Sequence, residues 1–358
     1  MYQVHERYMQ RCLQLAKLAV GNVAPNPMVG AVLVHADMII GEGYHQQYGG
    51  AHAEVNCIND ALQNHPEKIA FSTLYVSLEP CAHYGKTPPC ADLIIQHKIP
   101  EVIIGCRDSF EKVDGKGIEK LRKAGVKVTV GVMEADAVQL NKAFFTFHQS
   151  KRPYVILKWA ETADGLIAGT GSNRLMISNE YSARVVHKWR SESAAIMVGA
   201  NTASKDDPLL DNRYWFSPSP KKIIFDPHLK VSATLRLFNG NDVVIILNTQ
   251  KDAVSKNIIY LKINKADMIQ DAMHQLFSME IQSVFVEGGQ RLLQSFIDAE
   301  IWDEAFVITN KNLFAYNGLP SPALANHIKL NEQALIGDQL IHFKNKNNQF
   351  VNAATGLF

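Results

Sequence analysis

The sequence predicts an α/β protein of two domains, and three observations carry that prediction. Short apolar, β-rich runs alternate with amphipathic helical segments along most of the chain. The polar stretch Gln149-Ser150-Lys151-Arg152-Pro153 interrupts the alternation, which restarts directly after it, so a boundary is expected there with residues 1–148 and 149–358 on its two sides. A chain of 358 residues is also long enough for about two cores.

In the first half, residues 9–20 carry Met9, Leu13, Ala16 and Val20 at helical spacing and end at Gly21-Asn22. Ala24-Pro25-Asn26-Pro27 is a rigid loop into a strand at 29–34, and His35-Ala36-Asp37 turns it into a second strand at 38–44. Gly49-Gly50 then breaks the chain ahead of an amphipathic helix at 52–64. The apolar run 73–78 reads as a buried strand, and Cys90 opens an apolar stretch behind Pro88-Pro89. A strand at 101–106, a helix at 116–124 closed by Gly125, a strand at 126–132 and a helix at 134–149 complete a mostly wound sheet covered on both faces.

The second half opens with a strand at 154–160 running into Glu161-Thr162-Ala163-Asp164-Gly165. A helix at 179–192, a strand at 195–199 and a polar segment at 201–208 follow, then β-rich runs at 222–225, 242–247 and 257–263. The strand 283–286 ends in Glu287-Gly288-Gly289, which opens a helix through Glu300, and residues 303–309 return as a strand. No G-x-G-x-x-G is present. A helix N-terminus after Gly289 nevertheless offers free N–H groups to a phosphate, although a Gly pair also serves as a plain tight turn.

Composition narrows the function. With 47% hydrophobic and 20% charged residues the chain is of the soluble globular class. A formal net charge of +1 gives no general attraction toward nucleic acid or an anionic membrane, so a small, locally recognised substrate fits better. The first eight residues lack the plan of a signal peptide and no apolar run approaches a membrane span, so the cytoplasm is expected. Cys12, Cys57 and Cys106 have no disulfide-scaffold spacing, in keeping with a reducing compartment.

Two fragments read as one metal site: Ala51-His52-Ala53-Glu54, and the stretch from Pro80-Cys81 to Pro89-Cys90. His52, Cys81 and Cys90 give Zn²⁺ three protein ligands and leave the fourth tetrahedral position open, as in catalytic sites. Glu54 lies two residues from His52 and so does not share its helix face, which casts it as proton carrier rather than ligand. The order H-x-E then P-C-x-x-C is that of zinc deaminases, where a glutamate outside the ligand set moves protons to the leaving amine. Here eight residues rather than two separate the cysteines. Isolated, such residues would ordinarily be packed in a core; four residue types in this order, each at an element boundary, outweigh that reading.

With these residues in view, the whole chain resembles the bifunctional deaminase-reductase family of riboflavin biosynthesis, called RibD or RibG. The first half matches at Ala24-Pro25-Asn26-Pro27-Met28-Val29-Gly30, Gly43-Tyr44-His45, His52-Ala53-Glu54 and the Pro80 to Cys90 motif, whose wider cysteine spacing separates this family from cytidine deaminases. The resemblance implies a cytidine-deaminase-like three-layer α/β/α domain in which Asn26, His45, His83 and Lys86 contact a phosphorylated ribosylaminopyrimidine. It also implies a second, dihydrofolate-reductase-like α/β domain that uses NADPH, matched at Lys158-Trp159-Ala160, Asp164-Gly165, Arg190, Thr202, Asp206-Asp207-Pro208, Arg213 and Glu287-Gly288-Gly289. By that resemblance Asn173, Arg190, Asp206, Leu210, Arg213 and Glu287 face the substrate. Lys158, Ala160, Leu175, Thr202, Asp206, Gly288 and Gly289 face the cofactor. Two arginines suit a ribose phosphate, because the guanidinium fork donates two hydrogen bonds to one anion. One departure stands out: the family's Ser-x-Trp-Ile-Thr-Ser segment is Asn173-Arg174-Leu175-Met176-Ile177-Ser178 here.

The implied chemistry is zinc-dependent hydrolytic deamination of a diaminopyrimidine ribotide, then NADPH-dependent reduction of its ribosyl group to ribityl, in a homo-oligomer (dimer or tetramer). Lys158 and Glu287 are candidate proton donors in the second step. Three alternatives stay open on the sequence. Leu175 leaves room for an active deaminase with an idle reductase-like half. A deaminase of other bases, RNA included, is disfavoured by the near-neutral charge and the cysteine spacing. A zinc-stabilised binding protein would need a closing fourth ligand, for which His83 is nearest.

Overall fold

In the computed structural model the chain is described at residues 2–84, 88–108, 113–170, 175–215, 219–348 and 350. It divides into two compact units, Met1–Ser150 and Lys151–Phe358.

In the first unit, α1 (Tyr2–Lys17) turns Tyr8, Met9, Cys12, Leu15 and Ala16 inward, at the spacing of an amphipathic helix. It starts and stops earlier than the 9–20 expected. β1 (Gly30–His35) and β2 (Met38–Tyr44) form the anticipated hairpin, with Ala36 and Asp37 both at positive φ, 45° and 61°, in its two-residue turn. α2 (Ala53–Asn64) lies tight on β2, and only a glycine fits at the contact. A Cβ on Gly43 would sit 2.3 Å from the Cys57 nitrogen and 2.6 Å from the Ala53 oxygen.

β3 (Thr73–Leu78), α3 (Cys90–Gln96), β4 (Glu101–Cys106), α4 (Lys116–Lys123) and β5 (Lys127–Val130) then wind as parallel strands with helical crossovers. The sheet order is β2-β1-β3-β4-β5. Strand residues alternate between two cores. Leu33, Val76 and Ile104 meet Ile58, Ile94 and Leu121 from α2, α3 and α4, whereas Val32, Tyr75 and Ile103 meet Tyr8, Met9 and Cys12 from α1. Both faces are therefore covered, as the alternating pattern requires.

The single helix expected at 134–149 is instead two, α5 (Glu134–Leu140) and α6 (Lys142–Ser150). The break falls at Asn141, a buried amide that accepts from the Met28 N–H at 2.8 Å and donates to the Met28 carbonyl at 2.9 Å. Those bonds fix Asn141 to the loop that carries Asn26.

The second unit contains β6 (Tyr154–Thr162), β7 (Leu166–Gly169), α7 (Glu180–Glu192), β8 (Ala195–Gly199), α8 (Ala200–Asp206), β9 (Lys221–Phe225) and β10 (Val244–Asn248). It continues with β11 (Ala253–Ser255), β12 (Ile258–Lys262), α9 (Met268–Ser278), β13 (Ser283–Val286), α10 (Gln290–Asp298) and β14 (Glu304–Asn310). β15 (Gly318–Pro320), β16 (His327–Leu335) and β17 (Asp338–Asn345) close it. Among the described residues the main sheet runs β11-β12-β10-β9-β8-β13-β6-β14-β17-β16, and β7 pairs with β15 apart from it. From β12 to β14 its neighbours are parallel, and β11, β17 and β16 are antiparallel additions at the edges.

α7 is capped by Asn179, whose side-chain oxygen accepts from Ser182 N at 2.9 Å. α9 and α10 bury Ile269, Ala272, Met273 and Leu276, and Leu292, Leu293, Phe296 and Ile297, against one sheet face. On the other face Trp189 of α7 stacks on Phe306 at 4.2 Å between ring centroids, and Phe306 stacks on His342 at 4.5 Å. The polar segment at 201–208 proves to begin as a helix, α8, and α9, β7, β11 and β15 to β17 are elements the sequence reading did not place. No described helix is long and apolar enough to cross a membrane.

Candidate active sites

The carboxyl ends of parallel strands are where α/β sheets place their ligands, because the crossover loops and helix N-termini converge there. In the first unit that end of β3 leads through Glu79-Pro80 to Cys81. Cys90 opens α3, and His52 is the residue that caps α2. The ligand atoms of His52, Cys81 and Cys90 all lie within 4.8 Å of one another. His52 Nδ1 is 3.3 Å from Cys90 Sγ and 3.6 Å from Cys81 Sγ, so Nδ1 is the nitrogen turned inward.

The electrostatics suit a cation. A hydrogen bond from the Cys90 thiol, followed by those from His52 and the Cys90 N–H, holds Cys81 well below an ordinary thiol, while the same contact with Cys81 pushes Cys90 up. The hydrogen bond between Cys81 and His52 in turn raises that imidazole to about 9. One imidazole and two sulfurs, converging at helix starts, are a donor set that fits Zn²⁺, which would displace the protons they share.

Glu54 sits in the first turn of α2, 3% exposed, against Cys90. Burial raises its carboxyl to about 7, close to where a group that both accepts and releases a proton at neutral pH should titrate. Asn26 and His45 are brought together beside the ligands: Asn26 Nδ2 and His45 Nε2 are 3.0 Å apart, and His45 Nδ1 donates to the Ala51 carbonyl at 2.9 Å. Burial lowers the His45 pKa, and its ring meets that of His52 edge-on at 5.6 Å between centroids. His83 is half-buried between the two cysteines in sequence, and Lys86 lies outside the described residues.

In the second unit, Glu287 directly follows β13 and Arg190 lies in the last turn of α7. Arg190 donates through Nε and Nη2 to the two Glu287 oxygens, at 2.5 and 2.8 Å, and through Nη1 to the Asp211 carbonyl at 3.1 Å. Arg213 joins this group, its backbone N–H donating to His187 Nδ1 at 3.1 Å and its side chain pairing with Asp211. Leu210 is buried just ahead of them. Thr202 of α8 and Gly289 at the start of α10 also meet: a Cβ on Gly289 would be 2.7 Å from Thr202 Oγ1. The Gly199 N–H, which precedes α8, donates to the Gly288 carbonyl at 2.8 Å.

Lys158 and Ala160 are half-buried on β6, Asp206 closes α8, and Leu175 precedes α7. Asn173 lies outside the described residues. Sequence reasoning missed His187 and Asp211. His187 had a usable signal, since it stands three residues before Arg190 and therefore on the same face of α7.

Two family models match the chain, one in each half. Residues 2–106 match the family described as cytidine and deoxycytidylate deaminase zinc-binding region, and residues 153–310 match the RibD C-terminal domain. The riboflavin biosynthesis protein RibD of Aquifex aeolicus (strain VF5) is 41% identical over 314 residues, 85% of this chain and 86% of that protein. Its counterpart in Escherichia coli (strain K12) is 33% identical over 322 residues, 84% and 86% of the two chains. A solved diaminohydroxyphosphoribosylaminopyrimidine deaminase/5-amino-6-(5-phosphoribosylamino)uracil reductase from Thermotoga maritima is similar at a TM-score of 0.89 and 34% identity, over 96% of this chain and 99% of that one. RibD of Acinetobacter baumannii is similar at 0.87 and 28%, with the same coverage.

Fold, metal-ligand cluster and these likenesses define a two-domain enzyme, a zinc-dependent deaminase followed by an NADPH-dependent reductase. It is a hydrolase in its first unit and an oxidoreductase in its second. The chain belongs to the family of the bifunctional riboflavin biosynthesis protein RibD. The alternative of an idle second half gains no support, since the reductase match runs through residues 153–310.

Proposed function

We propose that this chain hydrolyses the amine from a diaminopyrimidine ribotide and then reduces the ribosyl group of the product to ribityl. The first step belongs to residues 1–148 and the second to residues 149–358. The observation that carries the reading is the convergence of His52 Nδ1, Cys81 Sγ and Cys90 Sγ beside a buried Glu54 carboxyl. Those three residues would hold Zn²⁺, which when bound would supply an activated water. Glu54 is the group that would carry a proton from water to the departing ammonia, and the Asn26–His45 pair orients the pyrimidine edge, with His83 and Lys86 also contacting the ribotide. In the second step Arg190, Asp206, Leu210, Arg213, Glu287 and Asn173 hold the ribotide. Lys158, Ala160, Leu175, Thr202, Asp206, Gly288 and Gly289 would hold and orient NADPH, which would supply the hydride for the ribosyl carbon. We place the enzyme in the cytoplasm as a homo-oligomer without nucleic-acid or membrane partners.

The test is mass analysis of the product after incubating zinc-loaded protein with the diaminopyrimidine ribotide and NADPH. Deamination together with addition of two hydrogens is the expected result. Deamination alone would remove the second step, and unchanged substrate would overturn the whole reading.

A further inference from the structure

Glu79 precedes Pro80-Cys81 and has no part in the chemistry above. Its side chain is 4% exposed yet faces four backbone donors. One oxygen accepts from Asp108 N at 3.3 Å and Gly115 N at 3.0 Å, and the other from Gly117 N at 3.0 Å and Ile118 N at 3.2 Å. Three of those donors are the cap and first turn of α4, where unsatisfied N–H groups and the helix dipole favour an anion. The carboxylate thus fills, from within the chain, a place that water or a bound anion would otherwise take.

A second contact ties the same segment down. The backbone of Glu79-Pro80 lies flat on the first turn of α4: a Cβ on Gly117 would fall 1.9 Å from the Pro80 carbonyl oxygen. Glu79 N also donates to the Cys106 carbonyl at 3.0 Å, at the end of β4. On its far side Cys81 is held by α3, with its carbonyl accepting from Ala91 N at 3.1 Å and its sulfur from Cys90 N at 3.3 Å. The ligand sulfur is therefore suspended between two helix starts, and Glu79 is the fastening on the α4 side.

We infer that Glu79 is a positioning residue of the metal centre, anchoring the Glu79-Pro80-Cys81 backbone to α4 so that Cys81 Sγ stays in register with His52 and Cys90. The inference rests on the assignment of those three residues as zinc ligands. An anion is required because the donors come in two pairs, one for each oxygen; an amide would turn its own N–H groups toward one pair. If Glu79 served only to hold α4, its loss would lower stability and leave the metal untouched. Because two covalent links separate it from a ligand residue, its loss should be felt at the metal.

The experiment measures zinc affinity by chelator competition, and the visible spectrum of the Co²⁺-loaded protein, on full-length wild type, E79Q, G117A and L121A. G117A sets a methyl 1.9 Å from the Pro80 carbonyl oxygen and so displaces the same segment in a chain that keeps the Glu79 side chain, which decides the matter even where E79Q does not fold. L121A removes core packing from α4 without touching the fastening, and controls for stability alone. E79Q and G117A are expected to weaken zinc binding about 10- to 100-fold, as loss of an outer partner of a metal ligand does. Both should also alter the sulfur-to-cobalt band and lower deaminase kcat more than they raise KM. L121A should melt at a lower temperature with its zinc affinity unchanged. Wild-type zinc affinity and cobalt spectrum in E79Q and G117A, with lowered melting alone, would overturn the inference. Retention of zinc by H52A would overturn the ligand assignment itself, and that failure is recognised separately.

Discussion

One guanidinium holds both oxygens of one carboxylate at the end of β13: Arg190 meets Glu287 at 2.5 and 2.8 Å, with the two side chains only 13% and 12% exposed. Desolvation alone would raise the Glu287 carboxyl, but Arg190 reverses the balance and lowers it. Removing one member strands the other as a buried charge. R190A is expected to lower the stability of the second unit by about 3 kcal/mol, whereas an R190M/E287M double replacement should cost less than R190A alone. Denaturant unfolding of the three proteins provides the comparison, and equal or larger loss in the double variant would contradict it.

E54Q should separate binding from chemistry. Glutamine keeps the shape of Glu54 but cannot relay a proton, so zinc content is expected to match wild type while ammonia release falls by about 100-fold or more. Metal analysis beside an ammonia assay would decide, and appreciable deamination would remove Glu54 from the mechanism.

G43A probes how closely α2 must lie on its sheet. The added methyl would meet the backbone of Ala53 and Cys57, the helix that carries Glu54 and is capped by His52. Since the neighbour is backbone and cannot step aside, a destabilisation of about 2 kcal/mol is expected, together with weaker zinc binding. Thermal melting with and without added zinc would measure both.

His187 sets a pH dependence. Burial first, then the charges of Arg190 and Arg213, lower its pKa to about 4 from a model-peptide value of 6.5. With a folded pKa below the unfolded one, the stability linked to the neutral ring is complete above pH 6.5 and is lost as pH falls toward 4. H187N can still accept from Arg213 N but does not titrate, so its unfolding free energy should be flatter than wild type over that interval. Parallel curves for the two proteins would refute the assignment.

Legibility in the sequence followed the range of the signal. His52, Glu54, Cys81 and Cys90 were readable because each stands at an element boundary marked by Gly or Pro, and the order of residue types is itself chemical. The division of helices and strands through residue 130 was readable because its central strands β1, β3 and β4 are buried along almost their whole length and flanked by clear turn residues. Asn141 was not, since what breaks the helix is a pair of bonds to Met28, over a hundred residues away, and nothing local announces it. α9 carried Ile269, Ala272, Met273 and Leu276 at helical spacing and could have been placed on that ground alone. β16 is the reverse case: it is a half-exposed edge strand, HIKLNEQAL, whose pairing with β17 and not its own pattern makes it a strand. Glu79 passed unnoticed because an acidic residue before proline ordinarily marks a surface turn; its role depends on donors supplied by α4.

The stacking of Trp189 on Phe306 has a practical consequence. Trp159, Trp189, Trp215 and Trp302 all lie beyond residue 150, and the first 150 residues contain no tryptophan. Indole emission is therefore an optical label for the second unit alone, whereas far-ultraviolet dichroism samples helices in both. Where the two signals trace different melting curves, the difference between them is the transition of the metal-bearing half, recorded without cutting the chain or attaching a dye.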